Sequence, residues 1–126
     1  MRVYIASPYS TGDQAENVRK QILAADHLMT LGHIPFAPTL SHFQHMVRPR
    51  PYEDWMKCCL SWVEMCDIVL RLPGYSPGAD REVEHAIKSE IPVVFSLEEL
   101  NEFAGVYWKT ATPVEEAYGH KNDLVE

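Results

Sequence analysis

Cysteine is scarce in this chain, positive charge is outweighed by negative, and long apolar runs are missing. The cysteines are Cys58, Cys59 and Cys66, an odd number confined to one predicted helix. Residues seven apart on a helix stand about 10 Å apart at 1.5 Å per residue, too far for a disulfide. No CxxC-type spacing occurs, so a cysteine metal centre is not expected, and the pattern reads as reduced, half-buried thiols. Eleven Lys and Arg face 18 Asp and Glu, a net charge of −7 that argues against a nucleic-acid partner, which needs a basic surface. No apolar run approaches the roughly 18–20 residues of a membrane span. The N-terminus enters a strand pattern directly, without signal-peptide design, and the expected location is the cytoplasm. Repeats and low-complexity segments are also lacking. The 126 residues suffice for one ordinary core, so residues 1–126 are expected to form one domain.

What is present alternates between strand and helix signals. Arg2–Ala6 reads as a first strand, followed by a loop of small and hydroxyl residues from Ser7 to Gly12. Asp13 and Glu16 have capping-box spacing and start a helix near Gln14, with Val18, Ile22, Ala25 and Met29 as its expected buried stripe and Gly32 as its C-cap. Ile34–Pro38 reads as an edge strand because of its prolines. Thr39–Pro51 reads as a loop of lid length. Within it His42 and His45 have a helical ligand spacing but no evident third ligand, and Arg48 and Arg50 either close over an anion or are simply solvated. Tyr52–Cys66 is a helix with Trp55, Cys59, Trp62, Val63 and Cys66 on one face. Ile91–Phe95 reads as a fourth strand, and Ser96 with Glu99 opens a short helix to about Phe103. Gly105–Trp108 is open between a fifth strand and a loop, and Pro113–Tyr118 suits a short helix. The alternation implies a three-layer, flavodoxin-like (Rossmann-like) α/β fold: a parallel sheet of four to five strands flanked by helices.

The chain is organised around Asp67–Ala86. A strand to Leu72 breaks at Pro73-Gly74, crosses Ser76-Pro77-Gly78, and enters a helix expected over Ala79–Glu90. A strand, a glycine-containing turn and a helix start are where open α/β proteins bind ligands. Ala79, Val83, Ala86, Ile87 and Glu90 share the expected packing face. Glu84 is expected to be solvated and paired with Lys88. Glu82, on the other flank in the expected first turn, is left without a structural explanation; there the helix dipole and free N–H groups favour an ionised carboxylate.

Taken together, Tyr4-Ile-Ala-Ser-Pro-Tyr9, Asn17, Gly32, Tyr52-Glu-Asp-Trp55, Trp62, Cys66-Asp67, Leu72-Pro-Gly74, Ser76-x-Gly78-Ala79 and Glu82-x-x-x-Ala86 resemble the nucleoside 2-deoxyribosyltransferase-like superfamily. The nearest branch is a small bacterial and phage domain of unknown function, related to 2'-deoxynucleoside 5'-phosphate N-hydrolase. The resemblance covers about residues 3–100. It implies cleavage or transfer at the N-glycosidic bond of a 2'-deoxynucleoside or its 5'-monophosphate, without cofactor or metal, in a homodimer or homotetramer. Glu82 matches the family's nucleophile, which forms a covalent glycosyl-enzyme intermediate. Ser7, Pro8, Tyr9, Ser76, Gly78 and Cys59 are the implied substrate-binding residues. Serine rather than aspartate at position 76 favours a phosphorylated substrate, since a carboxylate repels phosphate.

One position departs from the pattern. Where catalytic relatives carry a second acid, this chain has Cys59, and a thiol cannot supply a carboxylate's charge. Asp54, five residues earlier, is the nearest carboxylate on that helix, although the spacing is poor for substitution. Cys59 as the nucleophile would need a lowered pKa, and no basic neighbour is visible. Two readings therefore stand: an N-glycosidase or deoxyribosyltransferase working through Glu82 and Asp54, or a non-catalytic nucleotide-binding module that kept the cleft. Tyr107, Trp108 and the segment to Tyr118 are candidates for closing a neighbouring subunit's cleft, or for covering the sheet edge.

Overall fold

A computed structural model gives the fold; its described residues are 1–107. The chain runs β1 (Arg2–Ala6), α1 (Gln14–Thr30), β2 (Ile34–Phe36), a 3-10 turn (Pro38–Ser41), α2 (His42–Val47), α3 (Tyr52–Glu64), β3 (Ile68–Arg71), α4 (Pro77–Lys88), β4 (Val93–Val94) and α5 (Leu97–Tyr107). The four described strands lie in the order β2-β1-β3-β4, all parallel, with Val3 opposite Ile68 and Ala6 opposite Arg71. This is the expected flavodoxin-like α/β fold.

Strand alternation sorts the core into two halves. Val3 and Ile5 of β1, with Ile68 and Leu70 of β3, pack under Leu28 of α1 and Leu100 and Ala104 of α5. Tyr4, Ala6 and Val69 face the other way, against Val63 of α3 and Ala79 and Ala86 of α4. Central strands covered on both faces read as the near-continuous apolar runs seen in the sequence. From β1 the chain crosses to β2 on one side, and from β3 to β4 on the other. The loops leaving β1 and β3 therefore part, opening a crevice at the carboxyl edge between them.

Several expectations are corrected. On α1 the stripe is wrong: Ile22 and Met29 are 38% and 60% exposed, and Gln21 and Leu28 are buried instead. Gln21 is turned inward because it has four hydrogen bonds waiting there, which hydropathy cannot register. Thr39–Pro51 is not a loop throughout but holds the 3-10 turn and the six-residue α2. The fourth strand shrinks to Val93–Val94, and Gly105 continues α5 rather than a strand or loop. Half of the capping box at Ser96 forms, Ser96 Oγ accepting from the Glu99 N–H, while the Glu99 carboxylate reaches one residue further back and accepts from the Phe95 N–H.

The most consequential correction concerns α4. Ser76 is its N-cap, its hydroxyl accepting from the Ala79 N–H at 3.1 Å, and Pro77 occupies the first helical position that proline favours. The helix thus begins two residues earlier than expected, and Glu82 falls in its second turn. The buried face is Ala79, Glu82 and Ala86, while Ile87 is 64% exposed. Glu84 is exposed as expected, but no ion pair with Lys88 forms among the described residues. Trp108 and Pro113–Tyr118 lie outside the described residues.

Candidate active site

Three local devices shape the crevice. The first is Gln21, whose amide nitrogen donates to the Ile5 carbonyl and the Ser7 hydroxyl at 3.2 and 2.6 Å. Its amide oxygen accepts from the Thr39 N–H and hydroxyl at 2.8 and 2.6 Å. One buried side chain thus ties the end of β1 to the turn after β2. The second is Arg71, buried at the end of β3, which donates to the carbonyls of Leu72 and Gly74 and pairs with Asp80 at 3.1 Å. It holds the β3–α4 loop in shape. The third is a pair of close approaches. Gly74 has φ +119°, and a Cβ there would lie 2.8 Å from Pro8 Cγ, so the loops after β1 and β3 touch. At Gly78 a Cβ would meet the Tyr52 hydroxyl at 3.1 Å, which lets α4 start hard against α3.

Between these elements lies a cleft of about 900 Å³. Ser7, Tyr9, Cys59, Gly78 and Glu82 all line it, so five of the residues singled out in the sequence come together. The other three do not reach its wall. Pro8 packs on Gly74, Ser76 spends its hydroxyl capping α4, and Asp54 is exposed and paired with Arg50 at 3.1 Å. Sequence reasoning passed over Gln21, Thr39 and Met56, which also line the cleft, and gave Trp55 only a packing role. The signal for Gln21 was available: a polar residue standing amid the apolar positions of a helix next to a strand.

Glu82 is only 6% exposed, and the exposed remainder faces the cleft. The Tyr4 hydroxyl donates to its Oε2. Tyr4 is itself held by ring stacking on Phe36 at 5.5 Å, with Phe36 stacked on Trp62 at 5.0 Å. Burial pushes the Glu82 carboxyl up to about 8. That reverses the expectation from the sequence: Glu82 is a turn beyond the orphan N–H groups, and desolvation outweighs the dipole. Burial, reinforced by Cys58, likewise pushes the Cys59 thiol up to about 11, which leaves it protonated and a poor nucleophile. Tyr9, also raised by burial, shares a hydrogen bond with His42 Nδ1 across the cleft mouth. Among the described residues Glu82 is the sole carboxylate on the cleft wall.

A parallel β2-β1-β3-β4 sheet with its cleft at the β1/β3 parting defines a flavodoxin-like α/β protein with a cleft at the carboxyl edge, where open α/β sheets bind ligands. The chain belongs to the family described as Domain of unknown function (DUF7768), whose profile matches residues 1–96. No curated protein matches it. Among solved structures it is similar to a 2-deoxyribosyltransferase from the psychrotolerant bacterium Bacillus psychrosaccharolyticus. The TM-score is 0.53 at 18% identity, over 98% of this chain and 96% of that one, a likeness that shows the fold. No helix among the described residues is long and apolar enough to cross a membrane.

Proposed function

We propose that the protein cleaves or transfers the N-glycosidic bond of a 2'-deoxynucleoside or its 5'-monophosphate, with Glu82 as nucleophile. The observation that carries this reading is the placement of one buried carboxylate, hydrogen-bonded by Tyr4, on the wall of a cleft of about 900 Å³ that has room for a nucleotide. The structural neighbour's use as a biocatalyst for nucleoside synthesis supports the same substrate class. Glu82 attacks the anomeric carbon through an oxocarbenium-like transition state, giving a glycosyl ester that water or a second base resolves. To attack, it must first lose the proton that burial favours. The resemblance favours a 5'-monophosphate and the hydrolase-related branch of the superfamily, although Ser76 caps α4 and stands off the cleft wall. A second subunit, in a homodimer or homotetramer, would complete the cleft.

The test is release of free base, followed by chromatography, from a panel of 2'-deoxynucleosides and their monophosphates. Release by the wild type and none by Glu82→Ala is the expected result; equal rates reject the proposal. One observation favours a second reading. Cys59 lines the cleft where a second acid would serve, and Asp54 does not. A nucleotide-binding module without turnover fits that arrangement, and calorimetric binding of a deoxynucleotide with no base released over days would select it.

A further inference from the structure

Breaking the C1'–N bond sends its electron pair onto the departing base, and that charge calls for a hydrogen-bond donor beside it. Glu82 is engaged with the sugar, Cys59 carries a weakly donating thiol, and Asp54 stands off the wall. His45, on α2, lines the cleft beside Trp55. Trp55 Nε1–H donates to His45 Nδ1 at 2.9 Å, and the Arg50 backbone N–H reaches the same nitrogen at 3.3 Å. An indole N–H and a peptide N–H can only donate. Nδ1 must therefore be the lone-pair nitrogen, and the proton of the neutral ring sits on Nε2. Edge-on contact with the Trp55 ring, centroids 5.7 Å apart at 66°, fixes the ring's orientation. No hydrogen bond engages Nε2 among the described residues.

We infer that His45, locked as the Nε2–H tautomer by Trp55, is the donor that binds a ring nitrogen of the departing base as charge builds there. The inference rests on the proposed reaction and supplies its leaving-group contact from α2 rather than from the Cys59 position. In the step itself, a Glu82 carboxylate oxygen bonds to C1' as the C1'–N bond breaks, and the bonding pair leaves with the base. His45 keeps its proton; the base anion takes one from water. A water molecule then attacks C1', freeing Glu82 as a carboxylate and the deoxyribose as product, its proton returning to solvent. The substrate class is narrowed to bases with an exposed ring-nitrogen acceptor, such as purines.

The first measurement is the ring nitrogen NMR of His45 in the 15N-labelled protein. An Nε2–H pattern that loses its single-tautomer character in Trp55→Phe is expected, and an Nδ1–H pattern in the wild type overturns the inference. The second compares a 2'-deoxynucleoside with 4-nitrophenyl 2-deoxyriboside, whose phenolate leaves with little help. His45→Ala should slow the nucleoside about 100-fold and the nitrophenyl glycoside less than about threefold, whereas Glu82→Ala stops both. Equal losses on the two substrates with His45→Ala remove the donor role and leave the reaction standing. If the wild type cleaves neither, the proposed reaction fails by itself, and calorimetry with free adenine decides about His45. Binding weakened about tenfold in His45→Ala sustains the contact, and unchanged binding overturns it.

Discussion

Replacing Glu82 by glutamine should make the protein more stable, and by an amount that depends on pH in a defined way. The ordinary carboxyl value is 4.5, and burial raises it in the folded chain to about 8. Below 4.5 the group is protonated whether the chain is folded or not, and stability is fully present. Between 4.5 and about 8 the folded chain holds one more proton than the unfolded chain, so stability falls as pH rises through that window. At about 1.4 kcal/mol per pH unit, the loss between pH 5 and pH 8 is on the order of 3 kcal/mol. Glu82→Gln keeps an amide oxygen to accept from Tyr4 and never becomes charged, so its stability lacks this term. Urea unfolding at a series of pH values, followed by tryptophan fluorescence, gives the free energy of each protein from midpoint and slope. The wild-type curve should drop away from the Glu82→Gln curve by roughly 3 kcal/mol from pH 5 to pH 8. Parallel curves over that range would refute the burial argument, and with it the reading of Glu82 as a carboxyl held at a cost to the fold.

The same carboxyl sets a rate profile: kcat/KM for base release should climb with pH and level off above about 8, since only the ionised form attacks. Tyr4→Phe removes the donor that favours the charged form, so the climb should move to higher pH, as a pH series on that variant shows. Gln21→Leu strips partners from the Ile5 carbonyl, the Ser7 hydroxyl and the Thr39 N–H. It should cost about 3 kcal/mol or more, read as a lowered urea midpoint. Gly74→Ala combines a positive φ with a Cβ 2.8 Å from Pro8 and should cost about 1–3 kcal/mol, measured the same way. An unchanged midpoint in either variant contradicts the corresponding contact.

The sheet was legible because β1 and β3 are continuous apolar runs of strand length, and strands buried on both faces leave that signature. The pairing of Ser7 with Glu82 in one cleft followed from the same alternation of elements, which brings the loops after β1 and β3 to one edge. What was not legible had a common cause, polar groups with tertiary partners. Gln21 faces inward because the Ile5 carbonyl and Thr39 are there to bond it, so the apolar stripe drawn through Ile22 and Met29 points to solvent. Helix α2 spans six residues, too short for a 3.6-residue period to show, and Pro38, read as the end of the edge strand, starts a turn instead. At α4 the pair Pro77-Gly78 read as loop, although proline at the first helical position is favoured. That shift of two residues changed the electrostatics of Glu82 from dipole-stabilised to desolvated.

The two readings of this cleft come apart on that point. A nucleophile that is mostly neutral near pH 7 attacks slowly unless binding substrate changes its surroundings. Closing a sugar over Glu82 removes still more water and pushes the carboxyl further toward neutrality. A positive charge developing at the anomeric carbon does the opposite and draws the proton off, so the ionised form is stabilised most where the reaction needs it. An enzyme built this way binds substrate with Glu82 protonated and gives up that proton as positive charge builds at the anomeric carbon, before the glycosyl ester forms, while the departing base takes one up. A binding module has no such step, and its nucleotide affinity should be level below about pH 8 and fall as pH rises above it, with no product formed. Calorimetry in two buffers of different ionisation heat counts the protons exchanged on binding. Proton uptake on binding with no base released belongs to the module; base released with no net proton exchanged over the turnover belongs to the enzyme, because the departing base takes up the proton that Glu82 gives up.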